Sequence, residues 1–210
     1  MMTEEMKYWN RIFTERNDEK PVYDDWLDKH ASILETSRDV PVIDLGCGIG
    51  CDSLYLSERG FSVIACDLSE EALRRLRRHV PEAKTLRLDL QERLPFTDGS
   101  AKLVIADLSL HYFSWTDTEA IVDDIRRVLE PNGCLLCRVN SVHDVEFGAG
   151  RGIELEPNYF EQDGRRKRFF NESQVDRLFQ DWRTVYKHEA VMTRYGRPKR
   201  LWELALRSPV

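Results

Sequence analysis

The stretch Val42-Ile-Asp-Leu-Gly-Cys-Gly-Ile-Gly50, VIDLGCGIG, decides the fold. An apolar run short enough for one buried strand ends beside Asp44, and glycines follow at every second position: Gly46, Gly48 and Gly50. Glycine takes positive φ without penalty and offers no Cβ, so the chain can turn sharply and let a ligand lie against its backbone. In an open α/β sheet, ligands bind beyond the carboxyl ends of the strands. The loop holding Cys47 between its glycines is therefore expected to cradle a cofactor. A plain tight turn gives the same local pattern, so the surrounding chain has to decide between the two.

Outward from this loop, apolar strands alternate with helical patterns. PVIDL (41–45), FSVIACD (61–67), KTLRLDL (84–90), KLVIADLSL (102–110) and CLLCRVN (134–140) read as strands. Between them, CDSLYLSERG (51–60) reads as a helix stopped by Gly60, and SEEALRRLRRHV (69–80) as one capped by Ser69. TDTEAIVDDIRRVLEPNG (116–133) has capping-box spacing at Thr116 and Glu119 and is closed by Pro131-Asn132-Gly133. Strands that are apolar throughout suit a parallel sheet covered on both faces, which gives a Rossmann-like, doubly wound α/β domain.

One domain is expected over 1–210, in four parts. Residues 1–36 form an N-terminal helical cap rich in aromatics and split at Pro21; Trp26 reads as part of its core. Residues 40–140 form the cofactor-binding core. Residues 141–170 are rich in glycine, charge and aromatics without a period, as in a lid-like loop. Residues 171–210 read as a short helix capped by Asn171 and Gln174, then a β-hairpin turning at Gly196-Arg197-Pro198.

Composition narrows the function. The 210 residues carry a net charge of −6, which argues against a nucleic-acid partner held by counterion release. No apolar run approaches the ~20 residues of a membrane helix. The acidic N-terminus lacks a signal-peptide pattern, so the expected compartment is the cytoplasm. Five cysteines are expected to be free thiols; Cys134 and Cys137 lie three apart on a strand, point to opposite faces and cannot share a metal, and no metal site is expected.

Asp67 ends the second strand, Asp89 the third and Asp107 the fourth. Three strand-end acids on the glycine-loop face suit a nucleoside, with Asp67 placed for ribose hydroxyls. Position 51, three after Gly48, is Cys rather than the third glycine of a dinucleotide fingerprint, and Asp52 in the first helical turn repels a pyrophosphate. Asp44 adds another acid. This charge pattern favours a cationic cofactor, S-adenosylmethionine, over NAD.

VIDLGCGIG, ACDLS, LDLQ, LPFTDGSAKLVIADLSLHYF and VLEPNGCLLCRV resemble the successive motifs of class I S-adenosylmethionine-dependent methyltransferases across roughly 40–140. The resemblance implies a seven-stranded sheet with an antiparallel C-terminal strand. It implies that Asp44 and the loop of Gly46, Cys47, Gly48 and Gly50 meet the methionine part and ribose, with Asp67 and Leu68 at the ribose. Asp89 and Leu90 are implied at the adenine; Asp107, ending the fourth strand, is a further cofactor-binding candidate. Lys102 departs from the pattern, standing where the family often has an acid. More loosely, the C-terminal stretch NYFEQDGRRKRFFNESQVDRLF resembles small methyltransferases of the tellurite-resistance type and points to a small-molecule acceptor.

Methyl transfer needs alignment and exclusion of water more than a fixed catalytic set. No compelling catalytic constellation stands out; His111 and Tyr112, after the fourth strand, are the candidates. Many enzymes that methylate nucleic-acid amino groups carry an N/D-P-P-Y pattern here, whereas this chain reads Asp107-Leu-Ser-Leu. Trp9, Tyr23, Tyr159, Phe160 and Arg168 are candidates for the acceptor pocket, though a basic run such as 165–168 is also what a solvated face looks like. Two other readings remain open: a non-catalytic S-adenosylmethionine-binding regulator or partner subunit, and an NAD-dependent oxidoreductase. The oligomeric state is left open.

Overall fold

The computed structural model describes residues 2–15 and 19–209. Helix α1 (Glu4–Glu15) is followed by a 3-10 turn (Asp25–His30) and the short α2 (Ala31–Leu34). The core then runs β1 (Val42–Leu45), α3 (Cys51–Glu58), β2 (Val63–Asp67), α4 (Glu70–His79), β3 (Lys84–Arg87), β4 (Ala101–Asp107), α5 (Trp115–Val128) and β5 (Leu129–Asn140). β6 (Ile153–Glu156), β7 (Tyr159–Gln162) and β8 (Arg165–Arg168) come next, then α6 (Glu172–Leu178), β9 (Arg183–Met192) and β10 (Lys199–Arg207).

The main sheet has seven strands in the order β3-β2-β1-β4-β5-β10-β9. β1 pairs in parallel with β2 and β4, placing Asp44 beside Ala65 and Ile105. β10 is antiparallel to both β5 and β9, as the hairpin reading anticipates. The chain leaves β1 toward β2 and β3, then returns to the other side at β4. The crevice at the carboxyl ends of β1 and β4 is thus the topological switch point, where such sheets bind ligands.

Apolar layers cover both faces. Ile43, Val104, Leu135 and Cys137 pack against α5 residues such as Ile121 and Ile125. Val42, Leu103, Leu136 and Cys134 pack on the other side with Trp26, Leu54, Tyr55 and Leu76. Cys134 and Cys137 do lie in different layers, and all five cysteines are free. Lys102, at the amino-terminal half of β4, is paired with Asp39 and lies away from the crevice.

Local chemistry sets the helix ends. Gly60, at φ +77°, donates its N–H to Ser57 while Phe61 N reaches Leu56, which closes α3. Ser69 Oγ accepts from Ala72 N to start α4, and Asn171 with Gln174 completes a reciprocal capping box on α6. α5 differs from expectation: its cap is Ser114, whose Oγ accepts from Asp117 N, not Thr116. The helix also stops at Val128, three residues before Pro131, because Leu129 leaves to pair with Ala101.

The segment 141–170 is not a structureless loop. β6, β7 and β8 form a separate antiparallel sheet, turning at Asn158 and at Asp163-Gly164, where φ is +62°, +53° and +71°. Its strands are four residues long: IELE alternates but leaves Ile153 and Leu155 exposed, and RRKR has no apolar residue. The turn signal Asp-Gly was the visible trace.

Candidate active site

The glycine loop is held by its own backbone: Gly46 N and Cys47 N both donate to Cys66 O, and Gly50 N donates to Cys47 O. All three glycines have positive φ, but their surroundings differ. A Cβ on Gly46 would overlap the Ser109 side chain, and one on Gly50 would lie 2.7 Å from Leu76. Those two positions are glycine because the chain packs on itself. At Gly48 the nearest atoms are on the Phe13 ring, 3.5 Å away, a side chain on a separate helix. Of the three, Gly48 is therefore the one whose missing Cβ is not required by the chain packing on itself, a narrower cradle than the sequence suggests.

Asp67 ties this loop to α4. Its Oδ2 accepts Gly48 N and its Oδ1 accepts Ser69 N, each at 2.8 Å. Burial raises its pKa while those backbone N–H groups pull it down, with a net rise. The Leu68 N–H acts on it as well, and of the about four lone-pair sites a carboxylate offers, roughly one remains for another donor. Leu88 N donates to Asp67 O, joining the ends of β2 and β3. Asp89 follows in the turn beyond β3, half-buried, its Oδ1 accepting Gln91 N at 3.0 Å. Leu90 packs onto the core beside it, and Leu68 is half-buried between Asp67 and Ser69.

More acids line the crevice. Asp44 is buried and accepts Ser53 Oγ at 2.6 Å; burial, Asp107 and Asp67 push its pKa to about 7. Asp52 accepts Trp26 Nε1 at 2.9 Å, and burial and neighbouring acids raise it well above its usual range. Asp107 is opposite in sign: burial would raise it, but Arg138 and Arg194 overcome that and hold it low.

Arg138 is fully buried in β5. Its Nε and Nη2 bond the two Asp107 oxygens at 2.7 and 2.8 Å, and Nη1 bonds Asp24 at 2.6 Å. Arg194, in the loop after β9, adds a 2.7 Å bond to Asp107 and a 3.4 Å bond to Asp24. The Arg138 guanidinium lies 4.5 Å from the Trp26 ring centre. Four separate chain segments are clamped beneath the crevice by this knot. Sequence reasoning missed it, although an arginine inside the apolar run CLLCRVN was a readable trace.

α1 roofs the glycine loop. Asn10 Oδ1 accepts Ser69 Oγ at 2.7 Å, and Arg75 Nη1 donates to Phe13 O at 2.8 Å. Trp9 meets Tyr112 edge-to-face at 4.9 Å, and Arg165 of β8 lies over the Tyr8 ring at 4.9 Å. Tyr159 donates its hydroxyl to Tyr112 O at 3.1 Å. The structure thus brings Trp9, Tyr112, His111 and Tyr159 together, with Phe160 on the same small sheet, 6.3 Å from Phe169.

His111 is 2% exposed and its Nδ1 has no partner among the described residues. Burial drives its pKa well below 6.5; Lys199 and Lys167 push the same way and Asp107 opposes them. The imidazole is neutral at pH 7, and the burial and lysine charges that keep it so oppose its protonation.

Two pocket candidates sit elsewhere. Tyr23 donates to Glu58 at 2.6 Å and stacks edge-on against Tyr55, at the end of α3 far from the glycine loop. Segment 20–26 runs along α3, with Lys20 and Tyr23 at Glu58 and Trp26 at Asp52, and this carries Tyr23 away. Arg168 is 1% exposed, paired with Glu156 and set against the Trp115 and Tyr159 rings. Glu156 also accepts Trp115 N, so Arg168 rivets the small sheet to α5 and is not open to an acceptor.

A family model described as a methyltransferase domain matches residues 42–133, the span from β1 past α5 that carries the glycine loop and the strand-end acids. Over this span the chain is similar to methyltransferases. An uncharacterized methyltransferase of Synechocystis is 37% identical over 100 residues, covering 48% of this chain and 47% of that protein. A solved S-adenosylmethionine-dependent methyltransferase of Methanosarcina mazei superposes with a TM-score of 0.73 at 19% identity, over 85% of this chain and 97% of that one. The 1,6-didemethyltoxoflavin-N1-methyltransferase of Burkholderia thailandensis, solved with 1,6-didemethyltoxoflavin and S-adenosylhomocysteine, gives 0.66 at 18% identity, over 98% and 84%. At such identities the structures speak for the fold alone. The chain spans about half the length of the first curated relatives it matches. These relatives do not confirm the tellurite-resistance resemblance. S-adenosylmethionine is the cofactor of the similar methyltransferases, and the residues here fit it: the Gly48 backbone beside Asp67, and Asp44, whose raised pKa a cationic ligand would bring down. Among the described residues no helix is long and apolar enough to cross a membrane, and no cluster of three or more His, Cys, Asp or Glu is arranged to hold a metal ion.

Proposed function

We propose that this chain moves the methyl group of S-adenosylmethionine to a small-molecule acceptor and releases S-adenosylhomocysteine, in the cytoplasm and without a nucleic-acid partner. The observation that carries the reading is the bond from Gly48 N to Asp67 Oδ2, which sets a Cβ-free backbone beside a buried carboxylate with acceptor capacity to spare. Gly46, Cys47, Gly48 and Gly50 line the cofactor backbone, Asp67 and Leu68 take the ribose, and Asp89 and Leu90 flank the adenine. Asp44 faces the cationic end, and Asp107 fixes the floor through Arg138 and Arg194.

The cofactor supplies an electrophilic methyl group already activated by positive sulfur. This chain's residues do the rest by positioning. α1 and β6–β8 serve as a lid that excludes water, with Trp9, Tyr112, Tyr159 and Phe160 as its apolar lining. His111, neutral and unpaired at Nδ1, accepts a hydrogen bond from the acceptor and so orients it.

The test is S-adenosylhomocysteine release, measured by mass spectrometry across a small-molecule library, with cofactor binding measured alongside. Turnover of any member supports the reading. Tight cofactor binding without turnover would move the chain to a non-catalytic binding subunit.

A further inference from the structure

The region beyond His111 carries an unbalanced positive charge. β8 packs against the turn Leu110–Tyr112, and Lys167 projects from β8 on the face it shares with Phe160, its cross-strand partner. Lys167 is half-buried and, among the described residues, forms no ion pair or hydrogen bond. Lys199, on the first position of β10, acts on both Lys167 and His111. The acid that acts on Lys167 is Asp144, and Asp144 is already engaged: its Oδ2 accepts Lys199 Nζ at 2.6 Å and its Oδ1 accepts Arg200 N at 3.0 Å. Asp107, the other nearby acid, is saturated by Arg138 and Arg194.

Two lysines therefore face one available carboxylate, and Arg165 adds to the same sign. Leaving an ammonium half-buried without a counter-charge is unfavourable unless something else supplies one. The whole chain is net negative at −6, so this local excess is not a general feature of its surface. The neighbourhood is also aromatic: the Tyr112 ring lies tilted against His111 at 4.3 Å, and the Phe147 ring lies 4.6 Å from Lys199 Nζ.

We propose that the methyl acceptor is an aromatic molecule bearing an anionic group, and that Lys167 selects it by supplying the counter-charge. This rests on the methyl-transfer reading, because it assigns the acceptor side of that same crevice. The anion can be a carboxylate or a phosphate; both present oxygens to an ammonium. Lys199 stays committed to Asp144, so the discriminating charge is Lys167.

Calorimetry on the full chain loaded with S-adenosylhomocysteine tests this, with benzoate, phenyl phosphate and the neutral benzamide as probes. At least one anion should bind roughly tenfold or more tighter than benzamide, the factor one charge-assisted hydrogen bond supplies. That preference should vanish in Lys167→Met and persist in Lys167→Arg, with S-adenosylhomocysteine affinity unchanged in both. The stronger of the two anions names the source of the charge. Equal binding of all three probes, binding of none, or an undiminished anion preference in Lys167→Met overturns the proposal. Failure of the wild type to take up S-adenosylhomocysteine at all would instead strike the methyl-transfer reading.

Discussion

Replacing Arg138 by Met should be among the most destabilising single changes in the molecule. The arginine is fully buried and holds Asp107, whose side chain is 7% exposed, and Asp24, which is 26% exposed. Methionine fills similar volume, so the loss is mainly electrostatic. Removing one member of a buried ion pair costs about 3–5 kcal/mol, because the other charge is left in a poor medium. Asp107 keeps its bond from Arg194, so the lower end applies, about 3 kcal/mol. For a chain of this size that is roughly 6–12 °C in Tm. Asp107→Asn removes the facing charge, so the double variant should cost less than the sum of the singles by about 1–3 kcal/mol. Urea unfolding followed by tryptophan fluorescence reads this, with Trp26 reporting from beside the guanidinium. The sign with pH follows from Asp107, whose folded-state pKa lies below its unfolded value. Its contribution is present above about pH 4 and is lost as pH falls further, so wild type and Arg138→Met should converge in acid. A loss under about 1 kcal/mol, or strict additivity with Asp107→Asn, would mean that water reaches the knot.

The glycines should separate by role. Gly46→Ala meets Ser109 and a positive φ and should lose about 1–3 kcal/mol more stability than Gly48→Ala, while Gly48→Ala should lose more affinity for S-adenosylhomocysteine; the reverse ranking in melts and titrations would contradict the cradle. His30 is buried, its Nε2 lacks a partner, and burial followed by Lys29 lowers its pKa to about 4. Folding holds it neutral while the unfolded state binds a proton below about pH 6.5, so up to about 3 kcal/mol is lost as pH falls from 6.5 toward 4. Stability curves of wild type and His30→Phe should diverge over that window; parallel curves would refute the assignment. In hydrogen exchange, S-adenosylhomocysteine should slow residues 44–52 and 4–15, with 153–168 slowing further only when an acceptor is added. If 4–15 is already maximally protected alone, α1 is a fixed wall and not a lid.

Much of the fold was legible because its strands are apolar enough to announce themselves. VIDL, VIACD and AKLVIAD are buried on both faces, and Ser69, Gly60 and Asn171 mark helix ends by local bonds that need no tertiary knowledge. The small sheet was illegible because IELE and RRKR bury few residues; it is held by the Arg168–Glu156 pair between β8 and β6 and by Glu156 accepting Trp115 N of α5. At the site, the strand-end acids were visible as a set, but their partners were not. Asp107 meets Arg138 and Arg194 from elements 31 and 87 positions away in sequence. Thr116 has the right spacing for a cap, yet Ser114 wins because the chain is already extended at that residue, with ψ 166°. Tyr23 shows the same limit: an aromatic beside the N-terminal cap is placed by what α3 offers it, which is Glu58.

The account stands most directly on cofactor binding at the Gly48–Asp67 pair. Isothermal titration of S-adenosylhomocysteine and of NAD into wild type and Asp67→Asn, with melting curves for each, tests it. The wild type should bind S-adenosylhomocysteine at one site and not NAD. Asp67→Asn, which keeps one acceptor oxygen for the loop, should bind at least roughly tenfold more weakly through loss of a charge-assisted bond, while remaining folded. Binding of NAD in place of S-adenosylhomocysteine, or unchanged affinity in a folded Asp67→Asn, would contradict the assignment of this crevice.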